Sequence, residues 1–279
     1  MESAPPREPV RSERSGRLGI ITLDRPRRCN ALDVAMAQSL RAAALAFARD
    51  EGIGAIVIRG SGGAFCSGVD LGYVRKGGEP QDLAYLRPAQ ADSGAGAQRA
   101  AVFKQILEYL ASTISEIRRA PKPVIAGVDG VAAAGGLGLA LCCDLVVASE
   151  RPRFEWAYQK TALSGAEGIT FFLPRLVGLR RALDLALLAP RLDALRALRM
   201  GLVSEVWPDD RFESELLGLG LRLADGPTAA YARTKALLES AVGGDWLEQH
   251  LGDEIAKLVE SAESAEFADG LERFFDRTE

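Results

Sequence analysis

The stretch Pro121-Lys-Pro-Val-Ile-Ala-Gly-Val-Asp-Gly-Val-Ala-Ala-Ala-Gly-Gly-Leu-Gly-Leu-Ala-Leu-Cys-Cys-Asp144 reads as a strand, a tight turn and a buried helix. Val124 to Val128 is a short β-branched run behind two prolines, Asp129-Gly130 is a turn pair, and Val131 to Cys143 holds only small or apolar residues. The Gly135-Gly136 pair falls where the helix would begin. Backbone N–H groups with no Cβ in front of them can approach a ligand oxygen there, which is half of an oxyanion hole. The same glycines also serve close helix packing, and spacing alone leaves both readings open.

Upstream, Gly16 to Leu23 runs into Leu-Gly-Ile-Ile-Thr-Leu, a strand closed by Asp24-Arg25-Pro26, and Asn30-Ala-Leu-Asp33 opens an amphipathic helix through Ala48. Gly54 to Arg59 is a second buried strand that leads into the loop Gly60-Ser-Gly-Gly-Ala-Phe-Cys-Ser-Gly-Val-Asp-Leu71. This loop lacks the lysine of a P-loop and supplies no GxGxxG. It is not a nucleophile elbow either, because Ser67 is flanked by Phe65 and Val69 where glycines would be needed. It can still present backbone N–H groups. Residues 73–98 are polar and irregular, either a flexible segment over a pocket or a surface insertion. A helix from about Ala100 to Arg119 returns the chain to the central stretch.

Downstream, Leu145 to Ala148 and Arg153 to Tyr158 read as strands, Lys160 to Gly168 as a loop, and Ile169 to Leu176 as the opening of a helix. Two apolar helical segments flank Leu192 to Ser204, ahead of a break at Trp207-Pro208. From Arg211 to Glu279 the pattern is helical throughout, leucines on one face and charges on the other, as in a tail that packs on a body or a neighbouring subunit. Short strands separated by helices predict an α/β fold with repeated β-β-α or β-α-β turns. The expected division is a flexible lead-in over residues 1–12, a catalytic core over 13–208 and a helical region over 209–279.

A chain of 279 residues with 48% hydrophobic and 26% charged residues can bury a full core. The net charge of −4 gives no reason to expect nucleic acid or an anionic membrane as partner. No run has the length of a membrane span, and the polar start lacks a signal peptide's apolar core, so a cytoplasmic protein is expected. Cys29, Cys66, Cys142 and Cys143 show no CxxC spacing and read as small buried thiols. One histidine, His250, in a polar helical stretch, is too little for a His-rich metal site, so no metal is expected, and a poor candidate for a triad base.

Two glycine-rich turns, each behind a buried strand, could converge on one oxygen, and here the chain resembles the enoyl-CoA hydratase/isomerase (crotonase) superfamily from Leu18 onward. The landmarks are Asp24-Arg-Pro, Asn30-Ala-Leu, Ala64-Phe-Cys-Ser-Gly-Val-Asp-Leu71, Lys122-Pro-Val-Ile-Ala-Gly-Val-Asp-Gly, and Gly135-Gly136 through Cys143-Asp144. Leu173-Pro-Arg-Leu-Val-Gly178 and Ala197 to Val203 complete the ordered set. The resemblance implies a spiral of β-β-α turns, a C-terminal helical trimerisation region, trimers that pair into hexamers, and a bent acyl-CoA thioester as substrate with no further cofactor. It places the oxyanion-hole N–H groups on Ser67 and Gly135, with Gly136 beside them. Preorganised donors of this kind stabilise the charge that builds on the thioester oxygen, each by about 3–4 kcal/mol in acyl transfer. Gly68, Val69, Asp70 and Leu71 would line the adenine and pantetheine path. Arg27 or Arg28 would meet CoA phosphates, unless they are solvated loop charges.

The chain also departs from the family. Typical hydratases carry two glutamates, and Gly138 and Tyr158 stand at those positions. Acid–base help contributes typically ~10²–10⁴-fold per group, so a chain lacking both should be a poor hydratase. Isomerases and dehalogenases of the superfamily use a carboxylate before the Leu-Pro-Arg helix; gap-free alignment puts it on Ala166, and one residue of slip brings in Glu167. Ala157-Tyr-Gln-Lys-Thr-Ala-Leu-Ser164 resembles that branch, with an aromatic residue replacing the second glutamate and Tyr158 on the acyl pocket. Glu167 otherwise reads as a helix-start carboxylate. Asp70 and Asp144 read as turn-fixing groups, Tyr73 and Lys76 as thin candidates for a decarboxylase proton donor, Trp156 as core or acyl-pocket lining, and Glu155 as a reserve carboxylate.

The expectation is a thioester-enolate enzyme, with double-bond isomerisation through Glu167 preferred. The alternatives are a hydratase, a decarboxylase or thioesterase acting on an acyl-CoA or an acyl-carrier protein, and a non-catalytic thioester-binding or assembly protein.

Overall fold

The computed structural model describes residues 8–79, 81–82 and 95–276. The first seven residues of the expected lead-in, most of the segment 80–94 and the last three residues lie outside the described residues. The chain opens with a hairpin of β1 (Val10–Ser15) and β2 (Leu18–Leu23), turning at Gly16 with φ +59°. Residues 10–12, expected in the lead-in, are therefore strand: Val10 is buried and pairs with Leu23. The charged residues of β1 face water along the sheet edge, a composition that discourages edge-to-edge pairing.

Helix α1 (Val34–Arg49) starts at Asp33, whose carboxylate accepts the N–H of Met36, and buries Val34, Ala37, Leu40, Ala44 and Ala48 on one face. Strand β3 (Ala55–Gly60), the one-turn helix α2 (Leu71–Arg75) and helix α3 (Ala95–Arg119) follow. The start of α3 precedes the expected Ala100 because Ala95 to Gln98 carry no helix breaker beyond one glycine. The central stretch forms β4 (Val124–Val128), β5 (Val131–Ala133) and α4 (Gly135–Leu141). Strand β5 is hidden in the sequence because its three small residues carry no period of their own.

Next come β6 (Leu145–Ala148) and β7 (Arg153–Glu155). The latter stops short of the expected Tyr158 where Ala157 takes φ +63° and a 3₁₀ turn runs from Tyr158 to Thr161. Helices α5 (Ile169–Val177), α6 (Leu179–Leu188) and α7 (Ala194–Met200), strand β8 (Glu205–Val206), then α8 (Phe212–Ala224), α9 (Thr228–Ala241), α10 (Leu247–Glu263) and α11 (Ala265–Asp276) complete the order.

The large sheet runs β1-β2-β3-β4-β6-β8, parallel from β2 onward. Its inner strands β2, β3, β4 and β6 are largely buried on both faces, as parallel strands usually are. Ile56, Ile58, Val124, Ala126 and Val128 belong to the main core with α1 and α3, while Leu18, Val57, Ile125 and Val147 meet Phe212, Leu216 and Leu219 of α8. The second layer is small. Strands β5 and β7 pair in parallel, and single bridges add Cys66 to Ala132 and Phe154 to Leu192. Each turn of chain thus passes from a long strand to a short second-layer segment and on to a helix, the β-β-α spiral expected from the sequence. In the C-terminal tail α10 packs along α3 and α11 covers the Tyr158–Thr161 turn, whereas α9 buries none of its residues.

Candidate active site

A cavity of 320 Å³ lies between the second layer and the C-terminal helices. Ser67, Val69, Ala134, Tyr158, Leu163 and Glu167 are on its wall, and Arg28, Asp70, Leu71 and Phe275 toward the short helix α2. The two glycine-rich turns do converge. A Cβ on Gly68 would stand 3.0 Å from the Ala134 Cβ and 3.1 Å from the Gly135 nitrogen. Gly68 takes φ +91° and Ala134 takes φ +47°, ψ −122°, so both turns hold backbone conformations that ordinary residues rarely adopt.

The donor on the first turn is displaced from the expected one. Ser67 donates its N–H to the Cys29 carbonyl at 3.1 Å, and Asp70 donates to Leu32 at 2.9 Å. The Gly68 N–H is taken by the Cys66 thiol. Among the described residues the N–H groups of Val69 and Gly135 have no hydrogen-bond partner. Ser67 is therefore corrected to Val69 as the backbone donor that remains open, for the physical reason that one N–H cannot serve two acceptors.

Gly136 does not line the cavity; it packs, since a Cβ there would run into the Cys66 carbonyl. Gly135 makes room for a side chain: a Cβ there would approach Glu167 Oε1 to 2.7 Å. Gly138 has no space for any side chain because the backbone carbonyl oxygen of Glu167 occupies it, so no glutamate can stand at that position in this packing.

Glu167 itself, 4% exposed, projects into the cavity from a left-handed turn with φ +57°, followed by Gly168 at φ +75°. The Tyr158 hydroxyl donates to its Oε2, while Oε1 has no partner among the described residues. Burial drives the Glu167 carboxyl up to about 8; the Tyr158 hydrogen bond opposes this and the nearby Glu254 carboxylate adds to it. Burial first, then the Glu167 charge, raises the Tyr158 phenol well above its usual range, so that it stays a donor. A carboxyl that titrates near neutrality with one oxygen free can both take and return a proton.

The remaining candidates separate. Arg28 reaches the cavity and Arg27 does not, although both follow Pro26 on one exposed 3₁₀ turn. Asp70 borders the cavity, but its carboxylate caps α2 through the Tyr73 N–H and pairs with Arg25 at 3.2 Å, a turn-fixing role. Asp144 likewise accepts the Val124 N–H and pairs with Lys235 at 2.9 Å. Tyr73 donates to Asp82, and neither it nor Lys76 lines the cavity. Glu155 is on the wall, paired with Lys160 at 2.6 Å and Arg191 at 3.5 Å. Trp156 stacks edge-on against Tyr158 with ring centroids 5.3 Å apart. Burial pushes the Cys66 thiol up to about 12, so it is no thiolate nucleophile. His250 lies behind the cavity wall against Thr170. No cluster of metal-ligating side chains occurs among the described residues.

Reasoning from sequence missed Glu254 on α10, which touches the Gly168 and Thr170 N–H groups. Its signal was present: Leu247, Leu251, Glu254, Leu258 and Ala262 form one buried stripe, and a carboxylate on such a stripe must find donors inside.

The model of the enoyl-CoA hydratase/isomerase family matches residues 13–93 and 89–279. The chain belongs to this family. Its relatives include a probable enoyl-CoA hydratase of Rhodobacter capsulatus, 38% identical over 269 residues that cover 96% of this chain and 95% of the relative. The 1,2-epoxyphenylacetyl-CoA isomerase of Escherichia coli K12 is 32% identical over 221 residues, 79% of this chain and 78% of that protein. The crystal structure of an enoyl-CoA hydratase from Mycobacterium avium subsp. paratuberculosis matches with a TM-score of 0.81 at 29% identity, over 96% of this chain and 99% of that one. The fold is thus the crotonase fold, and the protein is an acyl-CoA enzyme of the hydratase/isomerase superfamily. No helix among the described residues is long and apolar enough to cross a membrane.

Proposed function

We propose that this family member isomerises the double bond of an enoyl-CoA. The observation that carries the reading is the buried carboxylate of Glu167, which faces the cavity beside Gly135 with Oε1 unpartnered among the described residues, while Gly138 and Tyr158 stand where a hydratase pair would manage a water. The thioester oxygen would accept the N–H groups of Val69 and Gly135. Ionised Glu167 would remove a proton from the α-carbon of a 3-enoyl thioester, and the electron pair would move into the carbonyl to give a dienolate. The same carboxyl would then return the proton to the γ-carbon, placing the double bond between the α- and β-carbons. One base suffices because the carboxylate that takes the α-proton is also the group that, after exchange with solvent, delivers a proton to the γ-carbon. The open donors stabilise the dienolate oxygen in a site screened from water, where such interactions are strongest.

Arg28, Val69 and Leu71 are assigned to the CoA path, with Tyr158 as the group that orients Glu167. CoA enters as part of the substrate, with no separate cofactor, and the reaction belongs in the cytoplasm. Leu179, Leu187 and Leu188 of α6 and Leu237 and Leu238 of α9, all more than half exposed, supply apolar area that favours a trimer or a pair of trimers. Sedimentation of the full-length chain tests that assignment, and a monomer at micromolar concentration would remove it.

The test of function is incubation with 3-enoyl-, 2-enoyl-, malonyl- and saturated acyl-CoAs in deuterated water, read by mass spectrometry. The 2-enoyl isomer carrying deuterium is expected. Faster formation of a hydroxyacyl thioester would establish the hydratase reading favoured by the names of several relatives. Loss of carbon dioxide or of free thiol would establish a decarboxylase or thioesterase. The same acyl groups on a carrier protein form the second arm. Tight binding of every thioester with no exchange in either arm would mark a non-catalytic binder.

A further inference from the structure

Glu254 has no part in the chemistry above, yet it is a buried carboxylate, 5% exposed, directly behind the catalytic turn. Its Oε2 accepts the Gly168 N–H at 2.6 Å; its Oε1 accepts the Thr170 N–H at 3.0 Å and the Thr170 hydroxyl. These three donors immediately follow Glu167 in the chain. Glu167 and Gly168 hold two successive left-handed conformations, at φ +57° and +75°. A left-handed turn costs an L-residue about 1–2 kcal/mol and persists only where the surroundings hold it. The grip comes from α10, an element more than eighty residues downstream in the chain.

We propose that Glu254 is a positioning residue for Glu167: from α10 it clamps the Gly168–Thr170 turn, which holds the Glu167 carboxylate against Gly135, and it sets a second carboxylate directly behind that one. The proposal rests on Glu167 being the acid–base group. Two carboxylates in one buried patch titrate as a pair. Burial raises Glu254 to about 7, against the pull of the Thr170 hydroxyl and the two N–H groups, and raises Glu167 to about 8 with Glu254 contributing.

The other groups facing this patch do not neutralise it. On α10, His250 Nε2 is 3.8 Å from Glu254 and 2.7 Å from the Thr170 hydroxyl; desolvation, then the charge of Arg175 on α5, holds the imidazole below its usual range and so neutral at pH 7. Asp253 beside it acts the other way on His250. From the turn after β7 comes the uncharged Tyr158, and from α3 the apolar Ile114, which approaches Gly168.

Infrared difference titration of the full-length protein reads the protonated carboxyls without substrate, and Glu167→Gln identifies the Glu167 band. In Glu254→Gln the Glu167 midpoint should move to lower pH, with up to about fivefold more of it ionised at pH 7. Glu254→Asp keeps the charge but withdraws it by one methylene from the three donors. At pH 9.5, chosen because Glu167 is then ionised, its kcat for α-proton exchange should fall about 10²-fold with KM unchanged, the size of effect expected from misplacing a catalytic group by ~1 Å. A merely structural role would lower Tm and leave both readouts alone.

An unchanged Glu167 midpoint in Glu254→Gln would overturn the proposal, as would full exchange in Glu254→Asp. If Glu254→Gln fails to fold, Glu254→Asp decides. If no thioester exchanges, the infrared midpoint decides. Full exchange in Glu167→Gln would remove the base itself and the proposal with it; loss there with a normal Glu254→Asp would sink the positioning role alone.

Discussion

On the outer face of the large sheet, Leu18, Val57, Ile125 and Val147 meet Phe212, Leu216 and Leu219 of α8 in regular strand and helix geometry. Around the cavity, by contrast, Ala134, Ala157, Ala162 and Glu167 hold positive φ, Glu167 and Glu254 lie buried, and two N–H groups stay open. One region gains stability from apolar burial over regular strand ladders and a helix. The other stores strain and unmet hydrogen-bonding capacity, the arrangement that stabilises a developing charge. The lesson is a division of labour: the sheet holds the second layer in conformations it would not adopt alone.

Changes on the two sides should therefore act on different observables. The largest effect is expected for Glu167→Gln, with isomerisation down by ~10²–10⁴-fold in an intact fold. Near-normal turnover would mean that the buried carboxylate is structural. The same variant should gain stability over the parent at alkaline pH. Native Glu167 holds its proton up to about 8 and the unfolded chain only to about 4.5, so that stabilisation is complete below 4.5 and is lost as pH rises toward 8. Thermal melts of both proteins from pH 5 to 9 check the sign.

Gly135→Ala puts a Cβ 2.7 Å from Glu167 Oε1 and should lower kcat by ~10²–10³-fold while circular dichroism stays unchanged. On the sheet side, Leu216→Ala should lower unfolding free energy by ~2–5 kcal/mol and leave kcat per folded molecule as it was. A fall in kcat there would break the separation of the two regions. In the parent enzyme kcat/KM should climb with pH to a plateau above about 8, since the free base must be ionised, and a flat profile would exclude Glu167. The smallest effect is expected at Ala157→Gly, where relief of φ +63° outweighs the added chain entropy by ~0.5 kcal/mol in a denaturant melt.

Most of the scaffold was legible in sequence because its signals are local. Continuous β-branched runs announced β3, β4 and β6, and the stripe behind Asp33 announced α1. Strand β5 and the early end of β7 were not legible, because the pairing of three-residue segments is decided across the layer and by the left-handed Ala157. At the site, the glycine turns and Glu167 were visible as residue types at the right spacing. The choice between Ser67 and Val69 was not, since it depends on which N–H the Cys29 carbonyl already holds.

By itself the sequence determined most of the order of elements, the membership of the family, the two glycine-rich turns and the absence of the hydratase glutamate pair. These follow from periodicity, backbone permissiveness and residue identity, all properties of neighbours in the chain. Only the tertiary structure decided that Glu167 reaches the cavity, that its own carbonyl closes the space at Gly138, that Val69 keeps the open N–H, and that Glu254 grips the turn from α10. The reason is physical: hydrogen-bond partners, free volume and shared burial are set between segments distant in sequence.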